Sequence, residues 1–145
     1  MKNERPGGVL LNTAFRVIIP FTLIYGSYVL FHGELGPGGA FQAGAVLAIG
    51  VLLSRLIEGD KAVFNISGNT ALILAGIGAF IYGGIGVLTV LMGGNFLDYE
   101  KLPLSLPAHE LHSLGILGVE VGVTICVMCT IIAIFDALSR REGSL

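Results

Sequence analysis

The sequence predicts an all-α integral membrane protein, a bundle of about four transmembrane helices with both termini on the cytoplasmic side. Three observations predict it. Charged residues make up 12% of the 145-residue chain and hydrophobic residues 54%, whereas a soluble domain carries about 25% charged residues. Mean hydropathy is +0.86. The charges fall in short clusters that leave four long runs with one internal charge among them. These runs are too long for strands and lack period-two alternation. Lipid offers no hydrogen bonds to the backbone, so each run must close its own as a helix. The length fits one domain, residues 1–145.

The first span is expected over residues 14–32. Val17–Gly33 is apolar apart from Thr22, Ser27 and His32. Lys2 and Arg5 precede it as in a signal peptide, but no small-residue cleavage pattern follows, and the segment reads as a retained helix. The second span, residues 40–57, lies between Glu34 and Arg55. Its run opens on Gly36-Pro37-Gly38-Gly39, so the helix proper begins near Ala40, with Arg55 snorkelling at its far end. The third, residues 70–92, lies in the charge-free stretch between Lys61 and Asp98 and ends at Gly93-Gly94-Asn95. The fourth, residues 112–135, lies between Glu110 and Asp136 and holds the single charge Glu120.

Orientation follows from lysine and arginine placement. Lys2, Arg5, Arg16, Arg55, Lys61, Arg140 and Arg141 fall on one side of a four-span chain, and Lys101 on the other. The first side is expected to be cytoplasmic, and the protein to be multi-pass in the cell (inner, cytoplasmic) membrane.

Several function classes find no support. Net charge is −2, and no basic stripe marks a nucleic-acid partner. Gly36-Pro37-Gly38-Gly39 lacks the Lys-Ser/Thr of a phosphate-binding loop and has no strand before it. No Ser/His/Asp constellation is legible, no metal-ligand spacing stands out, and no cofactor is expected. Cys126 and Cys129 sit in an apolar run without another soft ligand and read as small core residues.

Glycine is abundant, at 22 residues. Gly83 and Gly84 lie in the third span, and Gly118 and Gly122 form a small-xxx-small pair in the fourth. Small residues let helix backbones approach closely in lipid. Two readings are open: packing within this chain, or faces that dock on other membrane subunits. The absence of Trp, a usual headgroup anchor, points to the second.

Glu120 is the residue that packing does not explain. An acid near the middle of a span costs roughly 2.5–3.5 kcal/mol on insertion scales. Three fates are open: protonation in an apolar site, pairing with a basic or amide group, or a place on a hydrated ion path. The first loop, Gly33–Gly44, is the second oddity. Pro37 cannot continue a helix, and its glycines permit unusual backbone angles. It reads either as a tight turn or as a re-entrant opening of the second helix, with Gln42 as a polar contact inside that helix. His109 and His112, three residues apart, share a helical face beside Glu110. They suit an ion entrance, and equally an ordinary interfacial cluster.

Gly36-Pro37-Gly38-Gly39-Ala40-Phe41-Gln42-Ala43-Gly44 after a first span resembles the Pro-Gly-Gly-Gly-Phe-x-Gly-Gly signature of the MnhB/MrpB family, the small B subunits of Mrp-type multisubunit sodium/proton antiporters. Val119-Glu120-Val121-Gly122-Val123 resembles that family's acidic-x-Gly-Val stretch. Ala40 and Ala43 stand where the family usually has glycine, and Glu120 where it has Asp. The resemblance implies an accessory, non-enzymatic subunit with larger membrane subunits as partners and Na+ and H+ as the ions moved. The same module also occurs in membrane-bound hydrogenases and related redox-driven pumps, the second reading. A membrane assembly factor with no ion role is the third.

Overall fold

The computed structural model describes residues 8–33, 38–59 and 62–142. Among the described residues there are four α-helices, α1 (Gly8–His32), α2 (Ala40–Glu58), α3 (Gly68–Leu91) and α4 (Ala108–Glu142), and a 3-10 turn at Tyr99–Lys101. Each α-helix is long and apolar enough to cross a membrane, and among the described residues there is no strand. The helices α1 and α4 run well past the expected spans, because nothing stops a helix from continuing once its apolar part has crossed.

Successive helices run antiparallel: on α1 and α2, Gly26 meets Leu47 and Gly50 meets Leu23, and on α3 and α4, Gly78 meets Gly122. Serine chemistry starts α3: Ser67 accepts the Thr70 amide at 3.3 Å, which satisfies one orphan donor of the first turn. Gly59, at φ 59°, ends α2 and returns its N–H to the Arg55 carbonyl. Hydroxyls on α1 are satisfied without neighbours. Thr13, Thr22 and Ser27 each donate to the carbonyl four residues back, at 2.9–3.0 Å, so they remain tolerable on a face turned to lipid.

The helices do not close into a ring. α4 packs along both α3 and α2, α1 packs on α2, and α1 touches α4 only slightly. The order in space is therefore α1–α2–α4–α3. The main core lies where α2, α3 and α4 meet: Ala48 and Val51 of α2, Ala71 and Ala75 of α3, Cys129 and Ile132 of α4. Small residues dominate because this chain packs by close backbone approach. The outer helices keep large apolar side chains exposed, among them Phe21, Ile24 and Phe31 on α1 and Leu72, Ile73 and Phe80 on α3.

The closest crossing is α3 on α4. A Cβ at Gly78 would lie 2.5 Å from the Gly122 carbonyl oxygen, and one at Gly122 would lie 2.9 Å from the Gly78 oxygen. Gly118 faces Ile85 at 2.9 Å. Gly83 and Gly84 behave differently: a Cβ at either would meet nothing within 4 Å. Packing within the chain therefore does not account for them, since they lie on the side of α3 turned away from α4.

Candidate functional site

Two acidic residues of α4 organise the two ends of the molecule. At the end where α2 finishes and α3 begins, Asp136 is buried. Its Oδ1 accepts from Arg55 Nη2 at 2.8 Å, and its Oδ2 accepts from Arg140 Nε at 3.0 Å and from the Gly68 amide at 3.2 Å. A Cβ at Gly68 would overlap the carboxylate, so glycine is what lets the acid seat on the first turn of α3. The partial positive charge of a helix N-terminus favours it there. Arg55 also donates from Nη1 to the Ile66 carbonyl at 3.1 Å. With these bonds Arg55 ties α2, the α2–α3 connection and α4 together. Nearby, Arg16 of α1 approaches Glu58 at 4.0 Å, and Ser54 donates to Glu58 at 3.3 Å.

At the other end of α2, the glycine turn meets α4. Gly39 adopts φ 128°, a conformation open to glycine, and its carbonyl accepts the Ala43 amide at 3.0 Å. A Cβ at Gly33 would lie 2.8 Å from Gly39 Cα and 3.4 Å from Glu120 Oε1. The Glu120 carboxylate therefore rests against the α1–α2 turn. One helical turn on, Thr124 is buried and donates to the Ala40 carbonyl at 3.1 Å. One turn into α2, a Cβ at Gly44 would lie 2.8 Å from the Thr124 carbonyl. Val29, Leu30 and Ala43, with Val121 against them, close the apolar side. The two oddities of the sequence, the glycine segment and the intramembrane acid, are thus one place in the fold.

Helical rise sets the depth of that place. Sixteen residues separate Glu120 from Asp136, about 24 Å along α4. The hydrocarbon core is roughly 30 Å thick. With the Arg55–Asp136 pair at one boundary, Glu120 and the turn beside it fall inside the far boundary. The 19-residue α2 spans about 28 Å and the 24-residue α3 about 36 Å. The short α2 is what brings an irregular turn down to the level of Glu120.

Other expected residues are placed apart from this. Phe41 and Gln42 are exposed, so Gln42 is not held in the interior of the chain. Gly36 and Pro37, with Glu34, lie outside the described residues. His109, Glu110 and His112 are exposed at the start of α4. His109 Nε2 is 3.8 Å from Glu110 Oε1, and His112 meets the Tyr99 ring edge-on at 5.4 Å between centroids. Tyr99 also fills the space left by Gly115, and partial burial and nearby Tyr82 raise its phenol pKa. Eight residues separate His112 from Glu120, about 12 Å of helix, so these histidines do not join its carboxylate. Among the described residues no group of three His, Cys, Asp or Glu side chains is arranged to hold a metal.

Sequence reasoning missed Asp136 as a hub and Thr124 as a contact. Asp136 and Arg55 have opposite charge and close two spans that end on the same side, which was the available signal.

Four apolar helices, a buried charge clamp at one end and an acid against a glycine turn at the other define a multi-pass membrane protein built on small-residue packing. Residues 10–133 match the family model for the domain related to the MnhB subunit of Na+/H+ antiporter, and the chain belongs to that family. It is 26% identical over 139 residues to the B-type subunit of the Na(+)/H(+) antiporter of Bacillus subtilis (strain 168), covering 90% of this chain and 97% of that one. It is 29% identical over 136 residues to a protein named as antiporter subunit mnhB2 in Staphylococcus haemolyticus (strain JCSC1435), covering 93% and 96%. A counterpart of the same name in Staphylococcus aureus (strain MRSA252) is 30% identical over 131 residues, covering 85% and 93%.

Proposed function

We propose that the chain is an accessory subunit of a multisubunit Na+/H+ antiporter in the cell membrane, with both termini cytoplasmic. It scaffolds larger subunits, and Glu120 contributes to the ion path. The observation that carries this reading is the seat of Glu120. An intramembrane carboxylate of a family-matched chain lies against an irregular glycine turn, and irregular backbone at membrane depth is tolerated where protein covers it or water reaches it. Intramembrane ionisable residues mark ion and proton pathways. One acid of this kind is too few for a whole pathway, so its role is exercised with partners. The exposed apolar faces of α1 and α3, with open positions at Gly83 and Gly84, suit docking of other helices.

Gentle extraction from the native membrane, with mass spectrometry of what accompanies the chain, tests this. Large antiporter-type subunits without a redox arm are expected. Hydrogenase or iron–sulfur proteins alongside would place the module in a redox-driven pump, and a chain that emerges alone from membranes retaining other complexes would overturn the reading. Gly83→Leu is expected to leave the isolated chain folded while reducing the recovery of those partners.

A further inference from the structure

A groove of about 450 Å³ opens between the start of α3 and the end of α4, beside the Asp136 clamp. Leu72 of α3 and Ala133, Ile134 and Ala137 of α4 form apolar walls, and Asn69 and Arg140 stand at its mouth. Leu72 is 67% exposed and Ile134 56% exposed, so the walls are open along the face that lipid reaches. The charges at the mouth do not cancel. Asp136 is neutralised by Arg55, and Arg140 adds a second guanidinium to the same carboxylate, leaving a local charge of about +1 beside the α3 N-terminus. Arg140 engages Asp136 through Nε, and its side chain is 67% exposed. A guanidinium has five donors, so an Nε contact leaves the two terminal nitrogens for the paired oxygens of a phosphate. Ala133 and Ile134 lie about 9–10 Å along the helix from Arg140, the offset between a headgroup and the first stretch of its acyl chains.

We propose that this groove binds one anionic phospholipid, its phosphate on Arg140 and Asn69 and an acyl chain against Leu72, Ile134 and Ala137. Charge complementarity selects the occupant. A zwitterionic lipid fits the apolar walls but gains less at the mouth, and basic pockets between transmembrane helices are a recurrent way of holding anionic headgroups. The site lies about 24 Å along α4 from Glu120 and does not depend on an ion role for that residue.

The test is native mass spectrometry of the full-length chain in nonionic detergent, titrated with phosphatidylglycerol or phosphatidylcholine. One phosphatidylglycerol is expected to bind about fivefold more tightly than phosphatidylcholine, the effect of one arginine near an anionic headgroup. Arg140→Gln removes that preference and Arg140→Lys keeps most of it. Ala137→Phe, which fills the groove, weakens both lipids. Circular dichroism of each variant checks that helix content is retained, and Ala137→Phe tests the groove without touching the clamp. Equal binding of the two lipids, or an unchanged preference in Arg140→Gln, overturns the proposal. So does displacement of the lipid by glycerol phosphate, which would make this a free-phosphate site. In the assembled complex, a photo-crosslinker at Ile134 is expected to capture lipid; capture of another subunit's helix would likewise overturn it.

Discussion

Asp136 and Glu120 are two acids on one helix, and the protein treats them differently. Asp136 has three donors, two of them guanidinium groups, and sits where α2 ends and α3 begins. Glu120 lies against a glycine turn at membrane depth. The first acid is fixed in a clamp that joins α2, α3 and α4. The second lies beside Gly33, which packs on Gly39 at its φ of 128°. A buried ion pair with its lone pairs satisfied holds geometry. The comparison separates the end that holds the helices together from the end where the proposed function places the ion path.

The largest expected effect is at the clamp. Asp136→Ala leaves the Arg55 guanidinium buried without its carboxylate and is expected to destabilise the chain by about 3–5 kcal/mol, read as a lowered unfolding midpoint in detergent. Arg55→Ala combined with Asp136→Ala should cost less than the sum of the single changes, because the pair acts as a unit. Next comes the turn. At Gly33 an added side chain meets backbone at 2.8 Å, so Gly33→Val is expected to cost about 1–3 kcal/mol and to displace the turn from Glu120. Stability equal to the unchanged chain would show that Gly33 is not pressed on the Gly39 backbone. Glu120→Gln keeps the side-chain shape and replaces a carboxyl by an amide that can still hydrogen-bond, so it should shift stability much less than Asp136→Ala does. A loss as large as that of Asp136→Ala would make both acids structural and dissolve the contrast. The smallest effect is expected for His109→Ala and His112→Ala, exposed at the head of α4, with unfolding midpoints unchanged.

Much of this was legible in the residues. The spans are written as long runs without charge, and Glu120 is conspicuous as the one charge inside them. The start of α2 was legible because Gly36-Pro37-Gly38-Gly39 precedes Ala40, and Gly39, at φ 128°, stands outside the helix. The lateral order α1–α2–α4–α3 was not. Helices apolar on every side carry no stripe to say which face meets which neighbour. For the same reason, Gly78 and Gly83 look alike in sequence, although one touches the α4 backbone and the other meets nothing. The clamp escaped notice because a charge at the end of a span is ordinary. Only the fold shows that Arg55 and Asp136, 81 positions apart, are 2.8 Å from each other. His109 and His112 lie where the sequence puts them, at the head of α4, with about 12 Å of helix between His112 and Glu120.

The most direct measurement is Na+-driven proton movement in vesicles containing the complete assembled complex, with Glu120 or with Glu120→Gln, at matched subunit content. The account predicts that the Gln variant assembles normally and that its transport falls at least about tenfold, the effect of a barrier raised by some 1.4 kcal/mol. Unchanged transport from a fully assembled Gln variant would contradict it and leave Glu120 with no part in the ion path.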